Sequence, residues 1–224
     1  MIYTGKCNFR CPFCHNRDLV LLETSSGIGL ERALQMVSLR KGFIDAVVIT
    51  GGEPTIHPDL VDLIGSIKSL DIPVKLDTNG SNPGVLDSLF DRGYIDFVAM
   101  DLKTSLEKYP LAAGKQVNVE NILESIDLIR HLGVPCEFRT TCVPGIVEKT
   151  DIEEITRMVG RGCMYTLQQF QPVNTLDPNY AEIVPYSEEE LIGFLEIARR
   201  NTSYCRLIGL AKEAVDFIDY ERLK

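Results

Sequence analysis

Short apolar, β-branched runs and amphipathic helical patterns take turns along nearly all of this 224-residue chain, and that alternation leaves few folds open. The runs read as strands at Ile2–Thr4, Ala46–Ile49, Val74–Asp77, Phe97–Asp101, Glu137–Thr141 and Tyr165–Phe170. Most are apolar enough to be covered on both faces, as parallel strands between helices are. Between them, the spacing predicts helices over Leu30–Leu39, Asp59–Leu70, Gly84–Arg92, Val119–Leu132 and Asp151–Val159. Pro58 and Asp59 mark a helix start, and Gly133 with Pro135 marks a stop. Such an order gives a parallel sheet with right-handed crossovers. About six units fit, so the expected fold is α/β, a partial parallel (β/α)6 barrel short of the closed eight-fold form.

The rest of the chain extends that plan. Tyr186–Arg200 reads as a further helix, opened by Ser187 with Glu190 three residues on. Asn201–Lys224 offers a strand near Cys205–Ile208 and a closing helix. No repeat, low-complexity tract or linker interrupts the sequence, so one domain is expected over 1–224, with a core barrel to about 172 and an extension over 173–224.

Charge and composition limit the function. A net charge of −9 argues against a broad nucleic-acid surface, which needs excess Lys and Arg. No apolar run reaches membrane-span length, and residues 1–15 lack a basic, apolar, small-residue leader, so the expectation is a cytoplasmic protein. Seven cysteines, an odd count, speak for a reducing compartment and against a disulfide framework.

In parallel α/β folds ligands sit at the carboxyl ends of the strands. Unusual residues follow each predicted strand there: CNFRCPFC, TGGEP, DTNG, DLK and VPG. Within the first, Cys7, Cys11 and Cys14 form C-x3-C-x2-C, tight enough for three thiolates to serve one centre. Ferredoxin-type clusters use four cysteines, whereas the next here is the distant Cys136, so one iron of a cluster would stay open. A structural zinc site would want four closed ligands, and His15, adjacent to Cys14, is poorly placed to be the fourth.

CNFRCPFCHN resembles the signature of the radical S-adenosylmethionine (SAM) superfamily, and its CHN ending resembles the branch that activates glycyl radical enzymes. The likeness runs through TGGEP, DTNG and MDLK to VPG. Leu167-Gln-Gln-Phe-Gln-Pro172 with Leu176-Asp-Pro178 is similar to the activating proteins of anaerobic ribonucleoside-triphosphate reductase. The resemblance implies one 4Fe–4S cluster on Cys7, Cys11 and Cys14 whose open iron binds SAM. It implies that Gly51, Gly52 and Glu53 hold the SAM amino group, that Phe13 packs on adenine, and that Lys103 contacts SAM. Asp77 and Asp101 would frame a monovalent cation near the SAM carboxylate, and Arg139 is long enough to reach a carboxylate. Structural alternatives stand beside these: a plain turn at Gly51–Gly52, a core anchor at Phe13, an Asp–Lys pair at Asp101 and Lys103, and a surface ion pair at Arg139. Gln171 stands where related activating enzymes carry a basic residue or His. The resemblance also implies a longer lead into the first strand than Met1 allows, so either the chain is minimal or its start lies upstream.

Cys136, Cys142, Cys163 and Cys205 are expected to be small buried hydrophobes, with no second cluster. The resemblance thus implies an activase that installs a glycyl radical on a partner enzyme, the anaerobic reductase in preference to pyruvate formate-lyase. An electron donor such as flavodoxin or ferredoxin would supply the electron. The alternatives are a radical SAM enzyme acting on a small molecule and a non-enzymatic iron–sulfur or zinc module.

Overall fold

The computed structural model describes residues 1–22 and 27–210. Seven strands follow one another in sequence order in one sheet: β1 (Ile2–Thr4), β2 (Val47–Gly51), β3 (Val74–Thr78), β4 (Phe97–Asp101), β5 (Cys136–Cys142), β6 (Met164–Gln169) and β7 (Tyr204–Ile208). The helices are α1 (Arg17–Val20), α2 (Leu30–Ser38), α3 (Leu60–Lys68), α4 (Pro83–Asp91), α5 (Tyr109–Ala113), α6 (Val119–His131), α7 (Lys149–Val159) and α8 (Glu188–Asn201). β1–β2, β2–β3, β5–β6 and β6–β7 all pair in parallel, and among the described residues β7 does not bond back to β1. This is the partial α/β barrel expected from the alternation. The closing helix expected after β7 falls on 211–224, outside the described residues.

The chain divides into two compact units, each discontinuous in sequence. Unit 1 comprises Met1–Asn8, Asn16–Ala99 and Glu120–Pro135. Its core is built from the buried alternate positions of β2 and β3 (Val47, Ile49, Val74, Leu76) and the apolar stripes of α3, α4 and α6 (Leu63, Ile64, Ile67, Leu86, Leu89, Ile122, Ile126). Unit 2 comprises Phe9–His15, Met100–Val119 and Cys136–Lys224. There Phe138, Tyr165, Leu167 and Leu207 bury against the stripes of α7 and α8, which include Ile152, Ile155, Leu191 and Leu195. α8 starts where the sequence placed it: Glu190 N donates to Ser187 Oγ at 3.3 Å, and Ser187 N donates back to Glu190 at 2.8 Å. α7 starts two residues before its expected beginning, because Glu148 and Asp151 form a second box of this kind.

One expectation is overturned. Cys136 and Cys163 are joined in a disulfide, whereas the odd cysteine count spoke against one. The reason lies in strand register. Glu137 pairs with Met164, so the residues just before them meet at the same end of neighbouring strands despite a sequence separation of 27. Cys142 and Cys205 are free and buried, as expected. Cross-linking this β5–α7–β6 loop restricts the unfolded chain and contributes about 3 kcal/mol. Urea unfolding should therefore show wild type losing about that much stability on adding reductant, while C136S/C163S is indifferent to it.

Candidate active site

In unit 1 the loop after β2 lies backbone to backbone against the loop after β1. Gly52 N donates to Thr4 O at 2.8 Å and Glu53 N to Lys6 O at 3.0 Å. A Cβ on Gly52 would stand 1.7 Å from Lys6 O, and one on Gly51, where φ is +114°, would stand 2.6 Å from Thr4 O. Only glycine fits both positions. Lys6 itself takes a positive φ of 61°, held by its N–H to Leu19 O at 2.7 Å. His57 donates from Nε2 to Gly5 O at 2.8 Å. The chain thus enters the cysteine loop in one fixed conformation.

Glu53 is completely buried. Its Oε1 accepts from Thr55 N (3.0 Å), Thr55 Oγ1 (2.6 Å) and Thr78 Oγ1 (2.8 Å), and its Oε2 accepts from Asn79 N (2.6 Å). Burial pushes this carboxyl up against the pull of those four donors. The resemblance implies a cofactor contact at Glu53. Its carboxylate is instead spent on tying the β2 loop to the β3 loop, so what it offers a ligand is position. Asp77, on β3, faces Lys75 Nζ at 3.6 Å.

Beside Cys7 stand two residues that sequence reasoning passed over. Asn79 Nδ2 donates to Asn8 Oδ1 at 2.8 Å and lies 3.9 Å from Cys7 Sγ, while Asn8 Nδ2 donates to Ser81 Oγ at 2.7 Å. Asn121 and Ser125 of α6 hold the carbonyls of Ser81 and Gly80 at 2.9 and 2.7 Å. Both asparagines sit inside motifs already singled out, CNFRC and DTNG; an amide one residue from a ligand thiol was the available signal.

Unit 2 carries the other two cysteines of the triplet, Cys11 and Cys14. Their loop is braced from two sides. Arg10 N donates to Ala113 O of α5 at 2.8 Å, and a Cβ on Gly114 would meet Arg10 O at 2.1 Å. Asp177 N donates to Pro12 O at 2.9 Å, and the Tyr180 ring leans on the buried Phe13 ring at 6.5 Å between centroids. Phe13 is therefore a packed residue whose orientation is set by Tyr180. The Leu176-Asp-Pro178 stretch serves as a strap on the cysteine loop.

Asp101 and Lys103 follow β4, and Arg139 reaches them from β5. Arg139 Nε donates to Asp101 Oδ1 at 2.7 Å, and Lys103 Nζ to Asp101 Oδ2 at 3.2 Å. Burial pushes the Asp101 carboxyl up, but Arg139 and Lys103 outweigh it and hold it well below the usual carboxylate range. For Lys103, burial lowers the ammonium's pKa, and the negative potential of Asp101, Cys11 and Cys14 more than reverses that. The Asp–Lys pair is thus present, and Arg139 makes a part-buried ion pair where a surface one was the alternative, with Asp101 shared between the two cations. Asp101, expected to help frame a monovalent cation, already faces two protein cations. Gln171 donates to Gly209 O at 3.1 Å and ties the end of β6 to the end of β7.

The donor set fits the group the motif implies. Three soft thiols lie within eight residues, and two of them lie in the field of the Lys103 ammonium. Beside the first, the missing Cβ atoms of Gly51 and Gly52 let the β2 loop close on the β1 loop, which brings their backbone up to the start of the cysteine loop.

Comparison with known proteins defines the class. The Radical SAM superfamily model matches residues 1–159, and the chain belongs to that superfamily. It is an enzyme of the radical SAM type, a family that uses a 4Fe–4S cluster and SAM. Nearer relatives differ in what they are named for. A Methanocaldococcus jannaschii protein that carries the name of a glycyl-radical enzyme activating enzyme is 34% identical over 206 residues, spanning 89% of this chain and 84% of its own. A GTP 3′,8-cyclase of Pseudomonas fluorescens is 29% identical over 83% of this chain, which spans only 53% of the cyclase. Among solved structures, Streptococcus suis SuiB bound to S-adenosylmethionine superposes with a TM-score of 0.72 at 20% identity, over 94% of this chain and 50% of SuiB. A domain of the pyruvate-formate lyase-activating enzyme from Bacteroides vulgatus gives 0.60 at 18%, over 74% of this chain and all of that domain. No helix among the described residues is long and apolar enough to cross a membrane.

Glu53→Gln puts an amide N–H₂ where one carboxylate oxygen must accept, leaving a buried N–H of Asn79 or Thr55 without an acceptor. A loss of about 2 kcal/mol is expected in chemical denaturation.

Proposed function

We propose that this enzyme activates a glycyl radical enzyme in the cytoplasm, with anaerobic ribonucleoside-triphosphate reductase favoured as its partner. One observation carries the reading: the M. jannaschii relative with the activating-enzyme name aligns over 89% of this chain and 84% of its own length. In the proposal one 4Fe–4S cluster is held by Cys7, Cys11 and Cys14. When bound, the cluster and SAM supply one-electron cleavage of the sulfonium, giving methionine and a 5′-deoxyadenosyl radical that takes a hydrogen atom from a glycine Cα.

The chain's own residues bind and orient. The Gly51–Gly52 backbone, free of Cβ atoms, accepts the SAM amino group, and Glu53 keeps that loop in place from behind. Phe13, steadied by Tyr180, packs on the adenine. Lys103 lies in the field of Cys11 and Cys14 and keeps its charge, which suits it to the anionic end of SAM. Arg139 contributes through Asp101, and Asn79 through its amide beside Cys7. A monovalent cation beside Asp77 belongs to the proposal and is checked by the potassium dependence of SAM binding. Flavodoxin or ferredoxin is the proposed electron donor.

A small-molecule reaction is the second reading, because the GTP 3′,8-cyclase is similar over most of this chain. Reconstituted protein given reductant, SAM and a candidate glycyl radical enzyme should yield a glycyl doublet in the EPR spectrum of the partner. Cys11→Ser should reduce it by at least about a hundredfold. SAM cleavage with no doublet on any such enzyme, and a nucleotide product formed mole for mole with 5′-deoxyadenosine, would replace the activase reading.

A further inference from the structure

Unit 2 has a charged strand face that the proposed chemistry leaves partly unused. β6 and β7 pack one face on α8, where Tyr165, Leu167, Cys205 and Leu207 are buried. Successive residues of a strand point to opposite faces. The other face therefore presents Glu137 and Arg139 from β5, Thr166 from β6 and Arg206 from β7, and register sets the two arginines on either side of Thr166.

Arg206 is held there by design of the strands. Its Nε donates to Thr166 Oγ1 at 3.0 Å and its Nη2 to Glu137 Oε1 at 2.8 Å, while Thr166 Oγ1 donates to the same Glu137 oxygen. Glu137 is 3% exposed. Burial pushes its carboxyl up, but the Thr166 hydroxyl and the Arg206 guanidinium outweigh that and keep it ionised. The Arg206 side chain is 35% exposed, and its Nη1 meets no acceptor among the described residues. A guanidinium fixed along one edge by a buried carboxylate presents its other edge at little further cost in rotamer entropy.

Among the described residues, this face carries Glu137 beside Arg206, and Asp101 beside Arg139 and Lys103. The cation in excess lies in the second group, where the proposed function gives it to the anionic end of SAM; Arg206 has Glu137 along one edge and its other edge open. That edge matches one carboxylate in a bidentate fork, whereas a triphosphate would bring several charges with nothing here to neutralise the rest.

We propose that Arg206 docks one carboxylate of the polypeptide substrate, an acidic side chain or chain end near the glycine that is attacked. This rests on the activase reading above and adds what the substrate segment must carry. Lys103 and Arg139 remain with SAM. A second source of such a carboxylate is the methionyl end of SAM.

The test uses the full chain, reconstituted and kept anaerobic, with two fluorescein-labelled nonapeptides of Ser, Ala and one central Gly. One carries Glu two residues before the glycine and the other carries Gln. Fluorescence anisotropy should give the Glu peptide about tenfold tighter binding, a charge-assisted fork contact being of that order. Arg206→Gln should erase the difference and Arg206→Lys should keep part of it, with the dissociation constant for SAM, from equilibrium dialysis, unchanged within about twofold. Should Arg206→Gln misfold because Glu137 is left buried without its cation, E137Q/R206Q removes both charges together and must also lose the discrimination. Equal affinity of wild type for the two peptides sinks this inference and leaves the activase reading standing. No binding of either peptide counts against both. A tenfold loss of SAM affinity in Arg206→Gln assigns the contact to SAM instead, and displacement of the Glu peptide by micromolar GTP assigns the face to a nucleotide; either result overturns the proposal.

Discussion

The seam between the β1 and β2 loops is the constraint on which the rest of unit 1 depends. Thr4 O and Lys6 O each accept an N–H from the opposing loop, and at Gly52 there is no room even for a methyl group. Two backbones this close leave neither loop free to drift. Cys7 therefore leaves β1 in a direction set by Gly52, and Gly52 is set by Glu53, whose four donors come from the loops after β2 and β3. A motif that looks like a row of ligand contacts, GGEP, works as a joint: glycines for approach, the glutamate for anchorage, and Pro54 opening a short 3₁₀ turn over Pro54–Ile56.

Glu53, Asp101 and Glu137 share one physical logic and differ in their partners. Glu53 has neutral donors alone, so burial dominates and its carboxyl is raised. Asp101 and Glu137 each have cations within hydrogen-bond distance, and there the balance runs the other way. A raised carboxyl suits a place where no other charge should compete. Lowered ones hold arginines at fixed angles. The charge of Lys103 is safe for the same reason: Asp101 and the two sulfurs offset the cost of its burial.

How much of this the sequence revealed depended on whether the signal was periodic. β4 was placed to the residue and α8 within two, because apolar spacing and the Ser187–Glu190 pair are local. α5 was missed: five residues carrying Pro110 show no helical period, and it forms because Tyr109, Ala112 and Ala113 are buried under the cysteine loop. Contacts between segments distant in sequence were mostly out of reach. Nothing local joins Cys136 to Cys163, Asp177 to Pro12, or Arg206 to Glu137; each follows from strand register or from a loop laid on another loop. The candidate site was legible in its chemistry, since thiols, glycines and charged residues stand in motifs. It was not legible in its division of labour, since whether a carboxylate meets a ligand or a backbone N–H depends on burial.

That division is uneven between the two units, and the unevenness bears on specificity. In the proposed function unit 1 contributes backbone and amides: Gly51, Gly52, Asn8 and Asn79 carry no net charge. Unit 2 brings paired charges held on strands and the aromatic Phe13 fixed by Tyr180. A common cofactor needs shape and a few neutral donors and acceptors. Selection among substrates needs groups that penalise the wrong partner, and a fixed arginine with one open edge does so whenever the incoming segment has no acceptor for it. On these grounds, selectivity of this chain for its substrate should answer to changes at Thr166 and Arg206 sooner than to changes in the cysteine loop.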